Sequence, residues 1–256
     1  MRRDKPILFL EKVTKAFGGL MALNKLELEV KEGEILGLIG PNGSGKTTAF
    51  NVITGFFPAT EGKVFFKNQD ITSMKTCFIV RMGIARTFQN IRLFNRMTVF
   101  DNVKIGQYHK GKSVFASIMS FGSRDERALG KKVDEILVFT GLYDKRNDLA
   151  GSLSYGDQRR LEIARAFATE PELLLLDEPA AGLNPRETEE LIDEILKIRK
   201  LGKTILLIEH DMNVVMNLSD RISVLNFGEK IAEGLPGQIQ EHPGVIEAYL
   251  GKERRY

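Results

Sequence analysis

The sequence has little of several features that would assign a protein to a specialised class. Its 256 residues include a single cysteine, Cys77, which excludes an internal disulfide and fits a reducing compartment. The 37 basic residues nearly cancel the 34 acidic ones, so the formal charge of +3 does not indicate a strongly basic nucleic-acid-binding protein. The apolar run Ile7–Leu10 is too short for a secretory signal, and runs such as Leu173–Leu176 are far shorter than the roughly 20 residues that span a bilayer.

The hydrophobic residues that are present form short runs that alternate with amphipathic segments, which is typical of an α/β sheet with crossover helices. Three runs are apolar on both faces, as buried parallel strands require: Ile35–Ile39, Leu173–Leu176 and Thr204–Ile208. Three others place charges at outward positions and predict antiparallel strands: Leu8–Val13, Leu26–Val30 and Lys63–Phe66. Residues from about 106 to 151 are predicted to be mostly helical, as an insertion without independent domain status, and 186–200 as a surface helix.

A glycine-rich segment carries a phosphate-binding pattern in the context that supports it, between the strand ending at Ile39 and the helical segment Ala49–Thr54. Glycines let such a loop wrap phosphates closely and direct consecutive backbone NH groups at them, at the positive end of the helix dipole. Lys46 is predicted to reach the β and γ phosphates of ATP, and the Thr47 hydroxyl to ligate Mg²⁺. The predicted nucleotide-binding residues of this loop are Gly40, Pro41, Asn42, Gly43, Ser44, Gly45, Lys46, Thr47 and Thr48.

Acidic residues follow two of the apolar strands. Asp177 and Glu178 come after Leu173–Leu176, at the edge where open α/β sheets bind ligands. With a P-loop upstream, we expect Asp177 to hold Mg²⁺, directly or through water, and Glu178 to polarise the water that attacks the γ-phosphate. His210 follows Thr204–Ile208 and could face the γ-phosphate, although a lone histidine is more often an ordinary surface or core residue.

Together with three further motifs, these residues resemble the ATP-binding cassette of ABC transporters. Leu153–Arg160 resembles the family's signature, Gln89 its Q-loop glutamine, His210 its switch histidine, and Phe17 the aromatic residue that stacks on adenine. The elements occur in the family's order and cover essentially the whole chain. The resemblance implies an α/β P-loop NTPase fold whose mostly parallel core sheet carries an antiparallel β subdomain and a helical subdomain.

That fold divides the single domain 1–256 into four predicted parts. An antiparallel β region takes in about 6–34 and 60–70, and the P-loop core about 35–59, 71–100 and 165–235. A helical subdomain covers about 101–164, and a short helical tail covers about 236–256.

The resemblance also implies a pair of chains packed head to tail around two ATP molecules. The signature residues Ser154, Tyr155, Gly156 and Asp157 of one chain would contact the γ-phosphate held by Lys46 of the other, at the start of a helix whose NH groups and dipole favour an anion. The implied catalytic set is Glu178, His210, Gln89 and Lys46. The implied Mg²⁺ ligands are Thr47, Gln89 and Asp177.

Three positions depart from the family pattern. Tyr155 replaces a small residue of the signature and Asp157 a glutamine, while Asn184 replaces the usual aspartate of the D-loop. The last change removes a charge but keeps a carbonyl oxygen, which could alter communication between the two ATP sites. Glu178 is retained, which favours a site that hydrolyses ATP.

Finer features resemble the longer ATP-binding subunit of bacterial or archaeal branched-chain amino-acid importers: Phe17–Leu23, Arg92–Val103, Ala180–Pro185 and the long stretch before Ser154. The implied function is ATP hydrolysis that powers amino-acid uptake, at the cytoplasmic face of the membrane. The implied partners are transmembrane permease subunits, a second ATP-binding subunit and, indirectly, a secreted substrate-binding protein. The permease would dock near Val114, Phe115, Ile118, Met119 and Phe121, unless these residues pack the core of the subdomain.

Other functions remain as alternatives. An ABC ATPase of another importer would share the same motifs. An ABC clamp on nucleic acid would have two cassettes in one chain or a coiled-coil insertion, together with a basic stripe, and neither a second cassette nor a sustained heptad pattern occurs here. A nucleotide-binding regulator without catalysis is disfavoured by Glu178 and His210 together. The sequence leaves open which amino acid is carried and whether the second ATPase is an identical chain or a paralogue.

Overall fold

The structure is a computed structural model that describes residues 6–110 and 124–250. The apolar residues predicted to face a permease, from Val114 to Phe121, lie outside the described residues. The strands are β1 (Pro6–Phe17), β2 (Leu20–Lys31), β3 (Ile35–Ile39), β4 (Glu61–Phe66), β5 (Gln69–Asp70), β6 (Ile84–Arg86), β7 (Leu173–Asp177), β8 (Thr204–Ile208), β9 (Arg221–Asn226) and β10 (Glu229–Gly234). The helices are α1 (Lys46–Ile53), α2 (Thr76–Met82), α3 (Val99–Gly106), α4 (Arg124–Phe139), α5 (Tyr155–Phe167), α6 (Pro185–Lys200), α7 (Met212–Leu218), α8 (Pro236–Gln240) and α9 (Pro243–Leu250).

The larger sheet has six strands in the order β10-β9-β3-β8-β7-β6, and only the edge strand β10 is antiparallel to its neighbour. Every residue of β3, β7 and β8 is buried, as their apolar sequences predict. Ile208 of the central strand β8 pairs with Asp177 of β7 on one side and with Leu38 of β3 on the other. The three strands therefore end at one edge, which brings the segments after Ile39, Asp177 and Ile208 together.

Alternate residues of these strands fill two cores on opposite faces of the sheet. One face packs against α1 and the smaller sheet through Leu36, Leu38, Leu173, Leu175, Leu206, Ile208 and Phe50. The other face packs against α5 and α6 through Ile35, Leu174, Leu176, Ile205, Leu207, Ile163, Leu191, Ile195 and Ile198. The sheet is thus covered on both sides, as an α/β architecture requires.

The smaller sheet has the order β2-β1-β4-β5, and its pairs are antiparallel. The predicted strands Leu8–Val13 and Leu26–Val30 lie inside the longer strands β1 and β2. A third core joins α3, α4 and α5 through residues such as Val103, Val133 and Leu161. Among the described residues, no helix is long and apolar enough to cross a membrane.

Candidate functional site

The P-loop follows β3 and leads into α1, and two of its glycines are required by close backbone contacts. A Cβ atom on Gly40, whose φ is +152°, would lie 2.1 Å from the carbonyl oxygen of Leu225. A Cβ on Gly45, whose φ is +105°, would lie 2.5 Å from the carbonyl oxygen of Ala22. The loop is therefore held between strands β9 and β2, and a side chain at either glycine would displace it.

The groups inside the loop fit a bound phosphate chain. Lys46 is 7% exposed, and its Nζ donates hydrogen bonds to the carbonyl oxygens of Gly40 (2.8 Å) and Pro41 (3.0 Å). Burial lowers the pKa of Lys46, while the charges of Glu178 and Asp177 oppose that shift. The buried hydroxyl of Ser44 has no hydrogen-bond partner among the described residues. An unpaired hydroxyl, a confined ammonium group and the amino end of α1 are groups that bind anions.

Asp177, a predicted Mg²⁺ ligand, lies in a buried ion pair that the sequence analysis missed. Its Oδ2 accepts a hydrogen bond of 2.7 Å from Nη2 of Arg86, at the end of the neighbouring strand β6. Arg86 also donates to Oδ1 of Asn51 at 2.7 Å. Burial raises the pKa of Asp177, and Arg86 counteracts the shift, favouring the carboxylate form that a metal ligand needs.

Three of the predicted catalytic side chains meet at one oxygen atom. Oε2 of Glu178 accepts a hydrogen bond of 2.8 Å from Nε2 of Gln89, and Nδ1 of His210 lies 3.6 Å from the same oxygen. Glu178 adopts a left-handed backbone (φ +47°), and its NH donates to the carbonyl oxygen of Ile208 at 2.9 Å. This conformation is unfavourable for a residue with a side chain, by about 1 kcal/mol, and is held here by the surrounding strands. The chain thus places a partly buried carboxylate between an amide and an imidazole, at the sheet edge beside the P-loop.

Glu209, which the sequence analysis did not single out, links two parts of this edge. Its buried carboxylate accepts hydrogen bonds from the NH groups of Ala180 (2.8 Å) and His210 (3.2 Å). Burial raises the pKa of Glu209, and the backbone donors oppose the shift. Glu209 therefore ties the segment that carries His210 to Ala180, the residue directly before the predicted D-loop, Ala181–Asn184. Its position directly after an apolar strand was the available sequence signal.

The four signature residues lie at the start of α5. Ser154 caps the helix, because its Oγ accepts from the NH of Asp157 (3.2 Å) and donates to the carboxylate of Asp157 (2.7 Å). Asp157 also pairs with Lys145. The hydroxyl of Tyr155 donates to the carbonyl oxygen of Ala181 at 3.1 Å, so this departure from the family pattern binds the D-loop of its own chain.

Gly156 is confined by α6, because a Cβ atom there would lie 2.6 Å from Oε1 of Glu187. Glu187 belongs to the capping box of α6, in which Oδ1 of Asn184 accepts from the NH of Glu187 at 3.0 Å. The unusual D-loop residue Asn184 is therefore the N-cap of α6. Across residues 6–110 and 124–250, no hydrogen bond or ion pair joins 154–157 to the P-loop, so their phosphate contact stays a prediction for a pair of chains.

Phe17 lies at the end of β1, on the hairpin whose second strand approaches the P-loop at Ala22. Its ring is 42% exposed, packs edge-to-face on Phe57 at 5.3 Å between centroids, and has Nζ of Lys15 4.9 Å from its centroid. The exposed area is sufficient for contact with a flat ring, and adenine stacking stays a prediction.

Comparisons with known sequences agree with this geometry. A family model described as "ABC transporter" matches residues 23–181, and one described as "Branched-chain amino acid ATP-binding cassette transporter" matches residues 229–255. The chain is 47% identical over 254 residues to the high-affinity branched-chain amino acid transport ATP-binding protein LivG of Escherichia coli K12, covering 97% of this chain and 99% of that protein. It is 45% identical over 253 residues to BraF, a protein of the same description from Pseudomonas aeruginosa, with 97% and 99% coverage.

Solved structures agree as well. The ADP conformation of an ATP-binding cassette of an ABC transporter superposes with a TM-score of 0.85 at 37% identity, over 97% of this chain and all of that one. A dimeric post-hydrolysis cassette bound to ADP and phosphate superposes with a TM-score of 0.77 at 29% identity, over 90% of this chain and 98% of that one. The fold predicted from the sequence is thereby confirmed. The chain is a nucleotide-binding ATPase cassette and belongs to the ABC transporter family.

Proposed function

We propose that the chain is the ATP-hydrolysing subunit of an importer that takes up branched-chain amino acids. The observation that carries the proposal is the meeting of Gln89 and His210 at the carboxylate of Glu178, beside the P-loop. The family supports ATP hydrolysis, and the names of its relatives LivG and BraF support the substrate class.

Each group at the sheet edge has a distinct part in hydrolysis. Lys46 and the NH groups of the P-loop hold the phosphates of ATP and stabilise the charge that develops on the γ-phosphate. Glu178 accepts a hydrogen bond from the attacking water and so orients it for in-line attack. Gln89 and His210 hold the carboxylate of Glu178 in place, since both lie against its Oε2. Phe17 binds the adenine ring.

Mg²⁺ fits this site through oxygen donors. The Thr47 hydroxyl, the Gln89 amide oxygen and the Asp177 carboxylate are the groups proposed to hold it, and oxygen donors are what this ion prefers. Bound there with ATP, Mg²⁺ would neutralise charge on the β and γ phosphates. Arg86 keeps the Asp177 side chain fixed at the strand end for that role.

A single chain supplies only part of such a site. We therefore propose head-to-tail pairing with a second ATP-binding subunit, identical or paralogous, in which Ser154 and Gly156 face the partner's γ-phosphate. Support comes from the exposed positions of Ser154 and Tyr155 at the start of α5, next to the buried Gly156, and from the dimeric cassette that shares this fold. Binding of two ATP molecules at the interface favours the closed pair, and hydrolysis removes that preference.

A cleft of about 520 Å³ is the proposed contact for a transmembrane permease subunit. It lies beside the Q-loop, and its wall includes side chains of the Q-loop segment and of α5, among them Phe88, Leu93, Phe94, Ile105 and Arg165. The half-exposed Phe94 lines this cleft together with Leu93 and Ile105, and an apolar cleft of this kind can receive side chains of a partner. Docking at this cleft places the chain at the cytoplasmic face of the membrane, with a substrate-binding protein acting on the other side.

The first test is Glu178→Gln, with the exposed Asp193→Asn as the matched acid-to-amide control. We expect the Glu178→Gln variant to bind ATP and to form an ATP-dependent pair without turnover, because the amide cannot orient and accept a proton from water as the carboxylate does. Hydrolysis is measured by phosphate release, and pairing by light scattering with ATP and Mg²⁺. Undiminished hydrolysis in this variant would refute the role given to Glu178.

A further inference from the structure

The signature helix α5 carries a buried ion pair that none of the roles above uses. The side chains of Arg159 and Glu162 are 0% and 1% exposed, and Nη1 of Arg159 lies 2.9 Å from Oε2 of Glu162. Charged side chains are almost never fully buried unless their hydrogen bonds are made inside the protein. The remaining contacts of this pair therefore indicate what it holds.

One of those contacts is a hydrogen bond of 3.4 Å from Nη2 of Arg159 to the hydroxyl of Tyr155 in the signature, and the others end on the backbone of the Q-loop. Arg159 donates to the carbonyl oxygens of Phe88 (Nη1, 2.8 Å) and Gln89 (Nη2, 2.9 Å). Oε1 of Glu162 accepts a hydrogen bond of 3.1 Å from the NH of Arg92. Arg165, one turn further along α5, donates to the carbonyl oxygen of Arg92. We call Arg159, Glu162 and Arg165 the Q-loop clamp.

The clamp is rigid for physical reasons. The planar guanidinium of Arg159 fixes two successive carbonyl groups relative to α5, which a single-point donor such as lysine cannot do. Burial raises the pKa of Glu162, and Arg159 and Arg165 oppose that shift, so the charges stabilise one another. Separating the loop from the helix would remove the hydrogen bonds that these buried side chains make to the loop backbone, which is unfavourable even though Arg159 and Glu162 stay paired with each other on α5. We therefore expect residues 88–92 to move together with α5.

The two ends of this connection reach different ATP sites of the proposed pair. Ser154, at the start of α5, precedes Arg159 by about 7.5 Å along the helix axis and faces the nucleotide held by the partner chain. Gln89, whose backbone the clamp holds, donates at 2.8 Å to Glu178 in the chain's own site. Helix α5 and the Q-loop thus connect the signature, which faces the ATP held by the partner chain, to Glu178, which acts on the ATP held by its own chain.

We propose that the Q-loop clamp couples the two ATP sites. Contact between Ser154 and the partner's nucleotide shifts α5, and Arg159 with Glu162 carries that shift to the Q-loop, which sets Gln89 against Glu178. Arg159 and Glu162 are positioning residues in this scheme. The inference rests on the proposed pairing and adds to it a route by which occupancy of one site controls the other.

The test compares Arg159→Gln/Glu162→Gln, which neutralises the pair at similar volume, with Arg186→Gln. Arg186 lies on α6, outside the signature and the Q-loop, and is an exposed arginine that pairs with Glu190 one turn along its own helix, so it is the matched control. Each variant is purified as the full chain with its partner ATPase. Two quantities are measured: the Hill coefficient of ATP hydrolysis, and amide hydrogen exchange of residues 87–94 before and after ATP-driven pairing in a Glu178→Gln background.

We expect the double variant to pair with ATP but to lose the pairing-dependent protection of 87–94. Its Hill coefficient should fall toward 1, and kcat should fall at least about fivefold with ATP half-saturation changed less than about twofold. Arg159→Lys keeps the positive charge but cannot donate to both carbonyl groups at once, so its Hill coefficient and protection should lie between those of the wild type and the double variant. This single variant also replaces the double variant if the latter does not fold.

Failure of the inference and failure of the proposed function are distinguishable. If the clamp variants pair normally and keep both the Hill coefficient and the protection of 87–94, the coupling role is overturned while the proposed function stands. The coupling role is also overturned if ATP hydrolysis by the wild-type protein shows no cooperativity. If Glu178→Gln itself forms no ATP-dependent pair, the proposed pairing is wrong, and the coupling between sites is wrong with it.

Discussion

The buried carboxyl of Glu194 gives a quantitative prediction about stability. It lies on α6 beside the apolar residues Leu191, Ile195 and Ile198 and is 5% exposed, and its Oε1 has no hydrogen-bond partner among the described residues. Burial raises its pKa from 4.5 to about 8, and the nearby charges of Arg160 and Lys197 only partly oppose the shift. Replacement by glutamine removes this titration while keeping nearly the same volume.

The sign follows from proton binding. Between pH 4.5 and about 8 the folded chain keeps the proton of Glu194 while the unfolded chain loses it, so stability falls as pH rises through this range. The full effect is roughly 5 kcal/mol, of which about 3–4 kcal/mol falls between pH 5 and pH 8. Glu194→Gln should therefore be close to wild type at pH 5 and more stable than wild type by a few kcal/mol at pH 8.

The assay is urea unfolding at several pH values, followed by circular dichroism. Other buried acids titrate in both proteins, so the difference between Glu194→Gln and wild type at each pH isolates the one group. The exposed neighbour Glu189→Gln is the control, and its difference should stay near zero. A difference for Glu194→Gln that does not change between pH 5 and pH 8 would refute the assignment of a raised pKa.

Three further variants test other parts of the structure. Gly45→Ala should lose ATP binding, measured with a fluorescent analogue, because its Cβ would lie 2.5 Å from the backbone oxygen of Ala22; near-normal affinity would contradict the confined loop. Arg86→Ala should lower the free energy of unfolding by about 3–5 kcal/mol, and so unfold at a lower urea concentration, because Asp177 is left buried and unpaired. An unchanged midpoint would show that the pair does not stabilise the fold. Asn184→Ala should lower the free energy of unfolding by about 1 kcal/mol because the cap of α6 is lost, whereas Asn184→Asp should change it by only a few tenths of a kcal/mol. Equal losses of stability in the two variants, measured by urea unfolding, would argue against capping.

Much of the fold could be predicted from the apolar strand runs and the loop motifs of the sequence. Ile35–Ile39 and Thr204–Ile208 are strands with the predicted bounds, because a strand buried on both faces is a nearly continuous run of apolar residues. The sequence analysis placed Glu178 and His210 directly after such strands, whereas Gln89 was identified only by its resemblance to the Q-loop glutamine. In the structure, Gln89 and His210 both lie against the carboxylate of Glu178.

The buried charge pairs could not be predicted in the same way. Tertiary packing decides which residues form the pairs Arg86–Asp177 and Arg159–Glu162. In the sequence, neither arginine can be distinguished from one on the surface, where most arginines lie. The i,i+3 spacing of Arg159 and Glu162 indicates a helical pair but says nothing about the loop that the pair binds. The placement of the signature opposite a partner's phosphate depends on a second chain and stays a prediction.

The central claim is that hydrolysis at Glu178 powers import. It is tested most directly by ATP-driven uptake of labelled leucine, isoleucine and valine into vesicles that contain the chain with its permease subunits, its partner ATPase and its substrate-binding protein. Uptake should require ATP and Mg²⁺, and it should be abolished by Glu178→Gln and preserved by Asp193→Asn. Uptake that continues with Glu178→Gln, or ATP hydrolysis by the wild-type assembly without uptake of any of the three amino acids, would contradict the central claim.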